Sequence, residues 1–332
     1  MGGWIARRLL SMIAVLLVLT FLVFVIQSVL PADPVRAFFG RNSPPAEIAA
    51  RRAELGYDQP FVMQYVDFLG RAVRGDLGDS LRTRRPVTDD LADFLPATLE
   101  LAATAAVFAG VFGIALGLTG ALRHAGSGVV RVVAIVLSAA PTFLLALLGI
   151  LLFYRRLGWL PAGGRAADPN APIVTNFLVL DGILRLDPSQ SWDALRHLLL
   201  PAAVLAIGPA VAIGRTLRAT LSTVMLDDHV RTAEAKGLGR RRIVLRHALR
   251  NAIGPVLSIA GLQLGLLLAG AVVVEVIFSW PGVGLYLYQG IAQSDFPAVV
   301  GVVLVLGVIY VVLNAVVDLL QVWADPRLRV AT

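Results

Sequence analysis

Long apolar runs separated by polar segments dominate the chain. Six of the runs are long enough to cross the hydrocarbon core of a bilayer as helices, which takes about 20 residues. They cover residues 9–30, 96–122, 129–154, 198–217, 254–278 and 297–322. We expect Pro141 to kink the third run, and Pro201 and Pro209 to interrupt the fourth. The pattern predicts an all-α integral membrane protein with six transmembrane helices.

The polar segments predict which side of the membrane each end of a run faces. Arg7 and Arg8 precede the first run, which places the N-terminus in the cytoplasm. The long segment 31–95 then lies outside, because loops of this length are translocated largely regardless of their charge. Within it, residues 46–55 and 64–73 have the pattern of short helices. Six spans return the C-terminus to the cytoplasm.

The segment 225–255 is a polar, basic insertion between two apolar runs. Asp227 or Asp228 can cap a first short helix, because a carboxylate accepts the free N–H groups at a helix start. Gly237 can take the left-handed conformation that ends this helix. After Gly239, cationic residues at four-residue spacing oppose an apolar stripe. We expect this second helix to lie along a membrane surface.

The first of these short helices carries a candidate docking surface. Ala233 and Gly237 are one turn apart, so they share a face on which the backbone of another protein can approach closely. The alternative is that the segment is only a basic cytoplasmic loop that fixes the topology. The residues by themselves leave both interpretations open.

Composition agrees with a membrane location. Hydrophobic residues make up 57% of the chain, charged residues 15%, and the formal net charge is +7. Because the cations flank apolar runs, we assign them to orientation in the lipid bilayer and expect no nucleic acid partner. The absence of cysteine from the sequence excludes disulfides and thiolate metal sites. The histidines are scattered, so no metal site is predicted.

The sequence also lacks the motifs of enzyme chemistry. A nucleotide-binding P-loop needs the pattern GxxxxGK[ST], and Lys236, the single lysine, lies between Ala235 and Gly237. The patterns GxSxG and HExxH are missing as well. We therefore expect a protein that is not an enzyme and has no cofactor of its own.

A few small or polar residues stand out within the apolar runs. Gly110, Gly113 and Gly117 lie near one another on the second run, where small residues allow helices to pack closely. Gln263 is a candidate for the lining of a transport pathway. Glu275 is either a second pathway residue or a group that reaches the external interface and caps the following WPG turn, and we favour the cap.

Several strings resemble the permease subunits of ABC importers in the dipeptide, oligopeptide and nickel branch. The string RTAEAKGLGRRRIVLRHALRNAIGPVLS resembles their cytoplasmic coupling loop, and LPADP, LGYDQPFVMQYVDFLGRAVRGDLGDSLRTRRPV, FLPATLELA and VVVEVIFSWPGVGLYLYQGI resemble other parts of the family. In the general loop pattern, Glu-Ala-Ala precedes an invariant glycine. Aligned on Gly237, the Glu-Ala-Ala positions are Arg231, Thr232 and Ala233, so two of the three residues differ from the family pattern. Arg250 stands where a proline commonly closes the pattern.

The resemblance implies a type I ABC importer permease fold with particular partners. These are a homologous second permease, two cytoplasmic ATPase subunits that bind ATP and Mg²⁺, and an external solute-binding protein. The coupling residues that dock on an ATPase would then be Arg231, Thr232, Ala233, Glu234 and Gly237. The implied location is the bacterial cytoplasmic (inner) membrane, with several spans and both termini in the cytoplasm.

The predicted organisation has four parts. These are a first transmembrane helix at 1–30, an external loop region at 31–95, a five-helix core at 96–322 that includes the coupling loop 225–252, and a cytoplasmic tail at 323–332. We expect di- or oligopeptides as the substrate. Nickel or another small solute is the alternative within the importer class. Outside it, the alternatives are a membrane enzyme or structural anchor, which would need a catalytic constellation or a large extramembrane domain, and a secondary transporter. The latter would need an ionisable network and often an internal repeat, and the sequence shows neither.

Overall fold

The computed structural model describes residues 2–29, 44–54, 56, 58–122 and 127–324 of the 332-residue chain. In these ranges the chain forms helices joined by turns, and the one strand-like feature is a single bridge between Asp79 and Pro86. The all-α prediction is confirmed. Parts of the predicted external loop and cytoplasmic tail, at 30–43 and 325–332, lie outside the described residues.

The helices are numbered here in chain order. They are α1 (Gly2–Val29), α2 (Pro45–Glu54), α3 (Phe61–Ala72), α4 (Val87–Ala121), α5 (Ser127–Ala139), α6 (Thr142–Arg156), α7 (Leu178–Leu184), α8 (Pro188–Val224), α9 (Asp228–Ala235), α10 (Arg240–Ile277), α11 (Val283–Ala292) and α12 (Phe296–Ala324).

Several of these helices are long and apolar enough to cross a membrane. By length and composition they are α4, α8, α10 and α12, and α5 with α6 makes a fifth if this pair, bent by 111°, is one span. The apolar part of α1, Leu10–Ile26, is shorter. The number of six spans therefore stays a prediction. Pro141 separates α5 from α6, so the expected kink is a break.

Several helices differ from the predicted pattern. The helix α4 begins at Val87, nine residues before the expected start at Pro96, and Asp89 and Asp90 in its first turn complement the positive end of the helix dipole. The helix α8 is continuous over 37 residues, so Pro201 and Pro209 do not interrupt it. Its start is capped by Asp187, which accepts hydrogen bonds from two backbone N–H groups. The short helix α11 was not predicted.

One compact unit of the structure comprises residues 1–96 and 281–311. The Tyr286 hydroxyl donates a hydrogen bond to Asp90 Oδ2 at 2.9 Å, and burial raises the pKa of this tyrosine above its usual value, with Asp90 contributing. Asp295 accepts hydrogen bonds from Ser80 Oγ and the Arg82 N–H. These bonds join segments far apart in the sequence around an apolar core. That core contains Leu77, Val87, Leu91, Val283, Ala298 and Val302.

The second compact unit comprises residues 97–280 and 312–332. Its core is built mainly from one face each of α4, α8 and α10. Buried members of that core include Leu101, Ala105, Leu205, Leu217, Leu221, Ala252 and Val256. The loop between α6 and α7 is held to this unit by a buried ion pair between Arg165 and Glu100 at 2.7 Å. The candidate functional residues all lie in this unit.

Close packing by small residues is confirmed at two of the three glycines predicted for it. A Cβ atom at Gly113 would lie 2.7 Å from Ile213 Cγ2 and 2.9 Å from the Ala210 carbonyl oxygen. A Cβ atom at Gly117 would lie 2.7 Å from Leu217 Cδ2. At Gly110 it would meet nothing within 4 Å, so this glycine is not part of the contact. Two glycines therefore set how closely α4 and α8 approach.

This contact predicts different outcomes for two substitutions on one helix. We expect Gly113→Ala to destabilise the protein by about 1–3 kcal/mol, because the added methyl group meets backbone as well as a β-branched side chain. We expect Gly110→Ala to be neutral, or to stabilise by up to ~1 kcal/mol through helix propensity. The measurement is the thermal unfolding midpoint of each purified variant. Equal midpoints would show that the close approach is unimportant.

Candidate functional site

The helix α9 lies at the centre of the predicted coupling loop. It begins after Asp227, whose carboxylate accepts no hydrogen bond from the backbone at the helix start, so the predicted side-chain cap is wrong. It ends in a Schellman motif. The Gly237 N–H donates to the Glu234 carbonyl oxygen at 2.9 Å, and the Leu238 N–H donates to that of Ala233 at 3.2 Å. The φ angle of Gly237 is +74°, as this motif requires. The predicted glycine stop is confirmed.

One face of α9 packs against the start of α10. Val230 and Ala233 are buried with Ile243 in a small apolar cluster. Asn251 and His229 add a side-chain hydrogen bond of 3.2 Å between the two helices. The prediction that Ala233 shares an open docking face with Gly237 is therefore wrong, because this alanine is 7% exposed and faces α10. Its role is to hold α9 in place.

The opposite face of α9 is exposed. The other four predicted coupling residues lie there or at the end of the helix: Arg231, Thr232, Glu234 and Gly237. Near the start of the helix, Arg231 Nη1 lies 3.7 Å from Asp228 Oδ1. A Cβ atom at Gly237 would meet nothing within 4 Å. The arrangement presents a polar helix face and an open glycine corner to the surroundings.

The second predicted helix of this segment is not separate. It is the beginning of α10, which runs without a break from Arg240 to Ile277 over 38 residues, or about 57 Å. The prediction of a helix lying along the membrane surface is therefore corrected. Residues Val244–Ala248 form a π-helical turn within it, and the Arg240 Nε–H donates to the Ala121 carbonyl oxygen at 2.9 Å. The helix α9 thus packs directly against the start of a long apolar helix.

The other predicted site residue, Gln263, lines a cavity of about 390 Å³. Its walls come from the break between α5 and α6 and from the middle parts of α8 and α10. Most of the lining is apolar, with Ser138 and Thr142 among its few polar members. A cavity of this size is typical of small-molecule sites.

A second group in this cavity, Arg215, was not singled out in the sequence. It is exposed and lies on α8, nine residues before the helix ends at Val224. The signal was present, because a charged residue within an apolar run marks a functional position by default. The sequence does not show that Arg215 and Gln263 are neighbours, because 48 positions separate them. They come together through the packing of α8 on α10.

Glu275 does not lie on the cavity or at an interface. Its side chain is fully buried, and Oε1 accepts a hydrogen bond from Thr98 Oγ1 at 2.7 Å. Its backbone carbonyl oxygen accepts from the Trp280 N–H at 2.8 Å, so the WPG turn is capped by the main chain. Both predictions for its side chain, a pathway residue and a snorkelling cap, are corrected to a structural contact.

Metal chemistry has little support among the residues that the structure describes. No group of three or more His, Cys, Asp or Glu lies close enough to hold an ion there. His229 is bonded to Asn251, and His197 Nδ1 lies 2.9 Å from the Asp193 carbonyl oxygen. These two imidazoles therefore serve contacts within the chain.

Comparisons with known proteins cover the whole chain. Residues 109–330 match the family model described as binding-protein-dependent transport system inner membrane component, and residues 1–102 match the model of its N-terminal part. The di/tripeptide transport system permease protein DppB of Pseudomonas aeruginosa is 40% identical, and the alignment covers 99% of each chain. The dipeptide transport system permease protein DppB of Alkalihalophilus pseudofirmus is 37% identical over 99% of this chain and 100% of its own.

A solved structure has the same fold. A chain of the inward-facing MetNI methionine ABC transporter superposes with a TM-score of 0.51 at 15% sequence identity. The match covers 69% of this chain and 93% of that one. At this identity the likeness concerns the fold alone, and it agrees with the predicted permease architecture.

Proposed function

We propose, because this chain belongs to the family of binding-protein-dependent transport system inner membrane components, that it is a permease subunit of an ATP-driven importer for di- or oligopeptides. The substrate class is supported by relatives named for dipeptides and tripeptides that align over nearly the full length. The chain itself is a transport subunit and not an enzyme. ATP and Mg²⁺ belong to partner ATPase subunits.

The observation that carries the coupling role is the geometry of α9. Its buried face is fixed to α10 through Val230 and Ala233, whereas its polar face and the Gly237 corner are open. We assign docking on an ATPase subunit to Arg231, Thr232, Glu234 and Gly237. Closure of the ATPases on ATP would then displace α9 and tilt α10, a rigid-body form of alternating access.

The other partners follow from the same proposal. A homologous second permease would form the other half of the pathway, and an external solute-binding protein would dock on the region 31–95. The protein is a multi-pass component of the inner membrane. We assign both termini and α9 to the cytoplasmic side, since the arginines around α9 follow the positive-inside tendency.

Affinity purification from the native membrane tests this function. We expect a second permease and ATPase subunits to co-purify, and ATP hydrolysis by the reconstituted complex to rise when the binding protein is loaded with a short peptide. Empty binding protein is the control. A rise with nickel or another small solute in place of peptide would favour that alternative. Recovery of this chain alone in mild detergent, without ATPase activity, would favour a secondary transporter.

A further inference from the structure

The lining of the cavity between α5, α6, α8 and α10 carries a net positive charge. Among its lining residues Arg215 is the one ionisable group, and no carboxylate accompanies it. Within the described part of the chain, Arg215 has no ion pair or hydrogen bond, and neither has the Gln263 side chain. Both groups therefore keep their hydrogen-bonding capacity for something other than this chain.

The start of α6 adds partial positive charge to the same cavity. The α5–α6 pair is broken at the cavity, where Ala140 and Thr142 line the wall. The Leu144 and Leu145 N–H groups both donate hydrogen bonds to the Pro141 carbonyl oxygen. The N–H groups of Thr142 and Phe143 have no acceptor among the described residues. These amides form the positive end of the α6 dipole. Broken helices of this kind are tolerated within membranes where they line a cavity.

A guanidinium that is exposed in a mainly apolar cavity is bound there by water or by an anion. Arg215 and the start of α6 together make the cavity electropositive, whereas the neighbouring Leu266 and Leu267 give it an apolar wall. A ligand that suits this lining has one anionic group beside apolar and amide parts. A short peptide with a free C-terminal carboxylate has this chemistry.

We propose that the cavity is a binding site for the C-terminal carboxylate of a transported peptide, with Arg215 as its specificity-determining residue. Arg215 pairs with the carboxylate, and Gln263 hydrogen-bonds to a peptide amide. The ligand class rests on the function proposed above, whereas the anion preference of the cavity stands on its own lining. The two are tested separately.

The first test measures the sign of the potential in the cavity. The chain has no cysteine, so Leu266→Cys places a single thiol of this chain on the cavity wall and leaves Arg215 and Gln263 unchanged. The purified importer in detergent is labelled with an anionic and with a cationic methanethiosulfonate, and labelling is scored on this chain. After normalisation to a free thiol, we expect the anionic reagent to react about 5- to 10-fold faster.

The test compares substitutions of two arginines that lie about one turn apart on α8. Arg215→Gln should abolish the preference for the anionic reagent. Arg218→Gln, which removes an equal charge from a residue outside the cavity lining, should keep it. Arg215→Lys should keep it as well. A preference that survives Arg215→Gln would overturn the proposal, as would equal rates for both reagents in the parent.

The second test identifies the ligand by protection of the same thiol. A dipeptide with a free carboxylate should slow labelling, and its C-terminal amide should be about 10-fold less potent. Arg215→Gln should remove the difference. Equal protection by acid and amide would overturn the carboxylate assignment even if the charge preference holds. If the reconstituted importer moves no peptide at all, the proposed function fails, while the anion preference is still decided by the labelling rates.

Discussion

Gly237→Arg is expected to reduce peptide uptake by about 30-fold or more while the permease still inserts and folds. The glycine lies at the open corner of α9, where a Cβ atom meets nothing of this chain. A long cation there would occupy the space that a docked ATPase needs, and blocking a central docking contact typically costs ~2 kcal/mol or more. Uptake into proteoliposomes and ATP hydrolysis with loaded binding protein are the two measurements.

Matched variants separate steric blocking from backbone strain. A non-glycine residue at the Gly237 φ of +74° costs about 1 kcal/mol, and asparagine tolerates this conformation best. Gly237→Asn should therefore transport normally. Gly239→Arg adds the same cation two residues later, at an exposed position with a φ of −65° and open space, and should also transport. The coupling assignment would be wrong if Gly237→Arg kept normal uptake, or if Gly239→Arg lost as much.

The limits of sequence reasoning are visible in the same segment. Gly237 acts locally, so the stop of α9 was predictable from residue chemistry alone. The helix also begins at the expected place, but the Asp227 carboxylate does not cap it. The orientation of α9 was not predictable, because Ala233 faces Ile243 across a turn, and helical spacing cannot say which face a neighbour covers. The continuity of α10 was hidden for a related reason, since the change from basic to apolar residues suggested two helices where there is one.

The apolar runs were predictable for a physical reason, and the candidate ligand site was not. Any helix that crosses lipid must be long and apolar, so the length and hydropathy of each run locate it. A site between helices depends on which faces meet. Arg215 on α8 and Gln263 on α10 come together only through packing. The burial of Glu275 against Thr98 has the same origin, since 177 positions separate the two residues.

Loss of the Arg165–Glu100 ion pair is expected to destabilise the protein more than the Gly113→Ala substitution does. Both side chains are buried, at 8% and 9% exposure, and Arg165 Nη2 lies 2.7 Å from Glu100 Oε2. The carboxylate also accepts from the Val179 N–H at 3.0 Å, and the guanidinium donates to the Asn176 carbonyl oxygen at 2.8 Å. The pair thus joins the α6–α7 loop to α4, a contact between residues 65 positions apart.

Glu100→Ala is expected to destabilise the protein by about 3–5 kcal/mol, because it leaves a buried guanidinium without its counter-charge. Arg165→Met should lower the free energy of unfolding by a similar amount, because it leaves the buried Glu100 carboxylate without its counter-charge. The measurement is the unfolding midpoint of the purified permease, together with the rate of proteolysis in the loop 157–187. An exposed pair supplies the control: Arg85 and Asp93 lie 3.0 Å apart at 52% and 55% exposure, so Asp93→Asn should leave the unfolding midpoint almost unchanged.

The double variant Glu100→Leu with Arg165→Met, compared with Arg165→Met and with a single Glu100→Leu variant, decides what the pair contributes. If each single loss reflects an uncompensated buried charge, removing both charges should recover most of the stability, with a coupling free energy of about 2 kcal/mol or more. Additive losses would mean that the hydrogen bonds to Val179 and Asn176 matter more than the charges. In that case the ordered loop depends on backbone capping, and the ion pair is a consequence of the fold that surrounds it.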